Sequence, residues 1–147
     1  MQKSRARPVT TKPSLNDGPM ATANARFFTL EEANACLPRL RELLGEIQDV
    51  RKRVLASRPE TWPVLQKAIG NGGSKKAAEL VFEFNRLERA AQEIKEMGCL
   101  LKDVDQGLVD FLSRREGREV YLCWRYGEER VAYWHDLTAG FAGRQPL

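Results

Sequence analysis

Hydrophobic positions follow two different spacings along this chain. Leu30, Ala33, Leu37, Leu40, Leu44, Ile47 and Val54 recur at three- and four-residue intervals, with Arg51 the polar interruption, which predicts one amphipathic helix over about 29–57. Thr29-Leu30-Glu31-Glu32 has the form of a capping box, and Phe28 stands at the staple position before it. Pro38 lies inside this seam; it lacks an N–H and its ring clashes with the carbonyl of Asn34, so a kink is expected there, and Arg58-Pro59 closes the helix. Residues 58–73 read as a connector in which Thr61 caps a short helix from Trp62 to Ala68 and Gly70-Asn71-Gly72-Gly73 ends it. Ser74 is placed to cap a second long helix and Gly98 to end it; its seam is Ala77, Leu80, Phe84, Leu87, Ala91 and Ile94. Two such seams joined by a connector predict an antiparallel helical hairpin spanning 29–97.

From Gly107 onward the period changes to two. β-Forming residues alternate through GLVDFLSRREGREVYLCWRYGEERVAYWHDL, broken by polar turns at 114–117 and 127–129, the pattern of a three-stranded antiparallel meander. Pairing Ser113 with Arg118 across the first turn sets Asp110 opposite Tyr121. Pairing Tyr126 with Arg130 across the second sets Tyr121 opposite His135. Val109, Phe111, Val120, Leu122, Trp124 and Trp134 then share a core face, while Asp110, Glu119, Tyr121, Cys123, Arg125, Tyr133 and His135 share the other. Cys99-Leu100-Leu101 adds a short edge strand. After His135 no regular element is expected, although Phe141 and Leu147 are placed to anchor the tail. The fold class is α+β: a long helical hairpin packed on a small antiparallel sheet, one domain over 27–147.

Composition adds boundaries to this picture. The chain is 42% hydrophobic and 30% charged, ordinary for a soluble domain. No apolar run approaches the roughly 20 residues of a membrane span, and the N-terminus has no apolar signal-peptide region. Three widely spaced cysteines, Cys36, Cys99 and Cys123, read as reduced thiols and point to a cytoplasmic protein. The formal net charge of +4 sits in the first 26 residues, where Lys3, Arg5, Arg7, Lys12 and Arg26 face Asp17 alone; the remaining 19 basic and 19 acidic residues cancel. Residues 1–25 are rich in Pro, Thr, Ser, Asn and Ala and are expected to be disordered, with Met20 a second candidate start. A neutral body with a basic tail speaks against a nucleic-acid footprint on the domain.

The segments FFTLEEANACLPRLRELL (27–44) and LKDVDQGLVDF, GREVYLCWRYGE and WHDLTAGFAGRQPL (within 101–147) resemble the prokaryotic family called domain of unknown function 2203. The resemblance covers most of 27–147. It implies that Asp110, Gly117-Arg118, Cys123-Trp124, Trp134-His135 and Gly140-Phe141-Ala142-Gly143-Arg144 belong to the family's characteristic motif. It implies no activity and carries over no catalytic residue.

Candidate chemistry gathers on the polar sheet face. Asp110, Tyr121 and His135, with Glu119 and Arg125 beside them and Arg144 folding back from the Gly-rich tail, form a candidate polar site, in which a carboxylate-oriented histidine could serve as general base. The plainer account, a cross-strand ladder that fixes the sheet, carries more weight. Cys123 is offset by two positions from His135, a diagonal of roughly 7 Å, and reads as a buried inert thiol. One histidine and no paired cysteine spacing give none of the usual zinc sets, so neither metal nor cofactor is expected. Arg51-Lys52-Arg53, Arg58 and Lys75-Lys76 put positive charge at the connector end of the hairpin. The first functional expectation is therefore an interaction or adaptor module, with a homodimer or other protein partner on the hairpin, where Leu43, Val50, Val81, Phe82 and Ala90 flank the main seams. The alternative is a small enzyme or ligand-binding protein using the polar face, its small-molecule ligand left open. RNA binding at the basic tip comes third.

Overall fold

A computed structural model describes residues 25–69 and 81–147. Four α-helices among these residues, α1 (Leu30–Ala35), α2 (Leu37–Ser57), α3 (Trp62–Ala68) and α4 (Val81–Glu96), precede five strands, β1 (Leu100–Asp103), β2 (Leu108–Arg115), β3 (Arg118–Arg125), β4 (Tyr133–Asp136) and β5 (Gln145–Pro146). The strands form one antiparallel sheet in the order β1-β2-β3-β4-β5. The architecture is α+β, as expected. The basic tail, Ser74, the Gly70–Gly73 turn and Lys75-Lys76 lie outside the described residues.

The capping box forms as expected: the Glu32 amide donates to Thr29 Oγ1 at 3.1 Å and the Thr29 amide donates to Glu32 Oε1 at 2.9 Å. Near Pro38 the helix breaks instead of kinking. The first helix ends at Ala35, Cys36 takes φ −76° and ψ −18°, and Pro38 stands in the first turn of α2. Proline costs nothing there because that N–H has no intrahelical partner to lose. At the far end of α4, Gly98 (φ +90°) donates to the Lys95 carbonyl at 2.9 Å and Cys99 donates to the Ile94 carbonyl at 3.2 Å. These are the two bonds of a Schellman motif, which turns the chain out of the helix and into β1.

Leu37, Leu40, Leu43, Leu44, Ile47, Val50 and Val54 of α2 are all buried, and with Leu87, Ala90 and Ile94 of α4 they pack on Val109, Phe111, Val120, Leu122, Trp124 and Trp134 of the sheet. Phe28 closes one end, its ring edge-on to Phe111 at 5.2 Å. Two chain-distant bonds hold this corner: the Phe28 amide donates to the Leu112 carbonyl (2.7 Å) and Ser113 Oγ donates to the Phe28 carbonyl (2.6 Å).

The β2–β3 turn corrects the expected register. Arg115 pairs with Arg118, so only Glu116 and Gly117 form the turn, and both have positive φ (53° and 84°). Two such residues make the primed hairpin turn whose twist suits antiparallel strands. Pairing therefore shifts by two residues from the expected Ser113–Arg118 match. A two-residue shift keeps every side chain on its face but changes its neighbours. Asp110 now lies opposite Cys123, and Tyr121 opposite Leu112; Tyr121 opposite His135 is as expected. The tail differs as well: Phe141–Gly143 form a 3₁₀ turn and β5 adds a two-residue edge strand, closed by the Leu147 amide donating to the Ala132 carbonyl at 2.9 Å.

Asp105, in the β1–β2 turn, ties the sheet to two helices. Its carboxylate accepts from Arg51 Nε (2.9 Å), Trp62 Nε1 (2.8 Å) and Gln66 Nε2 (3.0 Å). Hydrogen bonds from Trp62 and Arg51, with Gln66, hold its pKa below the ordinary carboxylate range, against the opposing effect of burial. A carboxyl stabilised in its charged form contributes stability above its unfolded pKa of about 3.9, and that contribution is lost as pH falls through the lower folded value. Acid denaturation curves should accordingly steepen below about pH 4 in the native protein. Asp105→Asn should flatten that segment, as read by urea midpoints at successive pH values.

Candidate functional site

Three buried side chains of different chemistry meet at the centre of the polar sheet face. Asp110 comes from β2, Cys123 from β3 directly opposite it, and His135 from β4, two positions along from Cys123's own partner Tyr133. Ligating atoms of the three lie within 4.8 Å of one another. His135 Nε2 is 3.1 Å from Asp110 Oδ2, and His135 Nδ1 is 2.8 Å from the carbonyl oxygen of its neighbour Asp136. Both contacts are acceptors when Asp110 is ionised, so the ring satisfies them only with a proton on each nitrogen. Burial acts to lower the histidine's pKa, but the Asp110 carboxylate and the Asp136 carbonyl outweigh it and the net shift is upward.

Two cations border the cluster. Lys102 Nζ sits 3.5 Å from Asp110 Oδ2 and 4.4 Å from the centre of the Tyr121 ring. Pairing slips between Leu101 and Asp103, which makes Lys102 the extra residue of a bulge in β1; such bulges re-aim side chains. Arg144 returns from the tail as expected but to different partners. Its guanidinium pairs with Glu128, lies 3.9 Å from the Tyr133 ring centre and reaches Cys123 Sγ at 3.7 Å. It makes no contact with Asp110, because Glu128 is the nearer carboxylate and Lys102 takes the Asp110 side. Burial and then the Asp110 carboxylate push the Cys123 thiol up to about 11, against a lesser opposing pull from Arg144. Both shifts work against pairing a thiolate nucleophile with a free imidazole base.

The site residues expected from sequence thus divide. Asp110, Tyr121 and His135 come together, Tyr121 buried with its ring 5.6 Å from the imidazole. Glu119 and Arg125 share the face but stand exposed at the two ends of β3, away from its centre. Cys123, expected to be an inert thiol, joins the cluster, and Lys102 and Glu128, which no sequence pattern marks, border it. The corrected hairpin register brings in Cys123. Lys102 depends on a bulge, which has no sequence signature here.

Elsewhere among the described residues, the basic end of the hairpin is partly compensated: Arg51 meets Asp105, Arg53 meets Asp49 at 3.1 Å and Arg58 meets Glu83 at 3.7 Å. A groove of about 630 Å³ lies at the β2–β3 turn end, between Phe27, Leu30, Arg114 and Leu147, and touches none of the polar-face cluster. No helix is long and apolar enough to cross a membrane among the described residues.

The class is then an α+β protein with a buried Asp–Cys–His cluster on the sheet face opposite its helical hairpin. The chain belongs to the family described as uncharacterized conserved protein DUF2203, whose model matches residues 26–147. No curated protein and no solved structure matches the chain.

Proposed function

We propose that this is a ligand-binding protein whose site is the polar sheet face, with Asp110, Cys123 and His135 as its recognition groups and the hairpin as its scaffold. The observation that supports this is the convergence of three buried, chemically different groups within 4.8 Å. Burying a charged pair beside a thiol is costly, and well-packed apolar residues of similar size would serve stability as well or better. Native and denatured masses of the purified full chain test the reading. A mass excess under native conditions, present in wild type and Phe82→Ser and lost from Cys123→Ser, is expected. Equal native and denatured masses, unrestored by incubation with a small-molecule extract of the expressing cells, would overturn it.

A second reading, an interaction module that dimerises through the hairpin, has one specific observation in its favour. Phe82 is 64% exposed and its neighbour Val81 is 53% exposed at the start of α4. Other residues that were expected to want cover from outside, Leu43, Val50 and Ala90, are already buried within one chain. Any dimer contact would therefore centre on Val81 and Phe82. Sedimentation equilibrium at micromolar concentration should then give a dimer that Phe82→Ser converts to monomer; a monomer mass for the wild type would contradict this reading.

A further inference from the structure

Resting on the reading of the polar face as a binding site, we propose that its occupant is a zinc-class divalent metal ion held by Asp110, Cys123 and His135. The donor set is one carboxylate oxygen, one sulfur and one imidazole nitrogen, all accepted by zinc, whereas calcium and magnesium favour oxygen donors and are poorly served by the sulfur and the nitrogen. Tetrahedral zinc, with bonds of roughly 2.0–2.3 Å, spaces its donors about 3.3–3.6 Å apart. The carboxylate and imidazole already stand 3.1 Å apart, and the sulfur belongs to the group that lies within 4.8 Å.

The imidazole is oriented in the way metal-bound histidines are. Its Nδ1–H donates to the Asp136 carbonyl at 2.8 Å, which fixes the ring and leaves Nε2 facing Asp110 Oδ2 at 3.1 Å. Metal binding requires Cys123 as the thiolate and Nε2 without a proton, so any proton on either atom leaves to solvent. Arg144, 3.7 Å from Sγ, also stabilises the thiolate that the ion requires.

Entry is through Lys102. Its side chain is 40% exposed while that of Asp110 is 4% exposed, so the ammonium can swing outward and free Oδ2 for the ion. Three protein donors leave one tetrahedral position for water or a substrate atom, the arrangement of catalytic zinc sites; structural ones use four.

Cobalt(II) titration of the chelator-treated full chain tests the proposal, because a thiolate bound to cobalt gives a sulfur-to-metal charge-transfer band. The expected result is one ion per chain with that band. Cys123 is the one cysteine left in the Cys36→Ala/Cys99→Ala protein, which must retain the band. Cys123→Ser should lose it and weaken binding by on the order of 100-fold or more, since even outer-shell changes cost 10–100-fold. Asp110→Asn gives the same test of affinity should Cys123→Ser fail to fold. Sub-stoichiometric binding, binding without the band, or a band lost from the double alanine protein but kept in Cys123→Ser would overturn the proposal. An organic mass excess in native spectrometry with no cobalt bound overturns the metal and leaves the site reading standing; absence of both removes both.

Discussion

Trp124→Ala will lower the stability of the protein by about 3–5 kcal/mol, the usual cost of removing a large buried aromatic. Its indole is fully buried, the largest of the fully buried side chains among the described residues, and the Arg41 guanidinium of α2 lies 6.0 Å from its ring centre. The indole N–H donates to the Glu128 carbonyl at 3.0 Å, and Tyr126 stands edge-on at 6.4 Å. One side chain thus joins the core to the β3–β4 loop, which also carries the partner of Arg144. The β1–β2 turn backs the same loop: the Tyr126 amide donates to the Gly107 carbonyl at 2.9 Å, and Gly107 (φ +69°) has room for no Cβ, which would come within 2.6 Å of Tyr126 Cβ. Urea unfolding of the variant measures the effect. A loss under about 1 kcal/mol would mean that the indole is not the centre of the core.

His135→Ala will cost a comparable amount, roughly 3 kcal/mol and at the lower end of the range for breaking a buried ion pair, because Lys102 remains beside Asp110. The metal-free protein should show the titration of this pair in its stability. A histidine whose pKa is raised on folding contributes fully below its unfolded value of about 6.5, and the contribution disappears as pH rises through the folded value. Groups around the ring are Asp110, the Asp136 carbonyl, Lys102, Cys123 and Tyr121; burial and Lys102 oppose the shift, and Asp110 with the Asp136 carbonyl carries it. Unfolding midpoints in chelator should fall with pH above about 6.5 in wild type and not in His135→Ala. Identical slopes in the two proteins would show that His135 is not charged in the fold.

The helices were legible because each burial face repeats at the helical period: Leu37, Leu40, Leu44 and Ile47 are where the seam puts them. The two sheet faces were legible for a similar reason. A period of two survives a register error of two residues, so Trp124 and Trp134 fall on the core face under either turn. Neighbour relations across strands do not survive it. They depend on whether the β2–β3 turn has two residues or four, and Glu116 at φ 53° is a conformation that its residue type does not announce. That single turn decides whether Asp110 faces Tyr121 or Cys123, hence whether the polar row reads as a ladder or as a cluster with a thiol in it. Burial of the polar face was also hidden. Tyr121, Cys123 and His135 are as buried as the core, whereas a half-solvated antiparallel sheet would leave that row exposed.

X-ray absorption at the zinc edge of the zinc-loaded full chain is the most direct test of the proposed site, since it counts the donors around the ion. One sulfur at about 2.3 Å with nitrogen and oxygen neighbours at about 2.0–2.2 Å is the predicted result, the sulfur vanishing in Cys123→Ser. A shell of oxygen and nitrogen alone, or a sulfur that persists without Cys123, would contradict it.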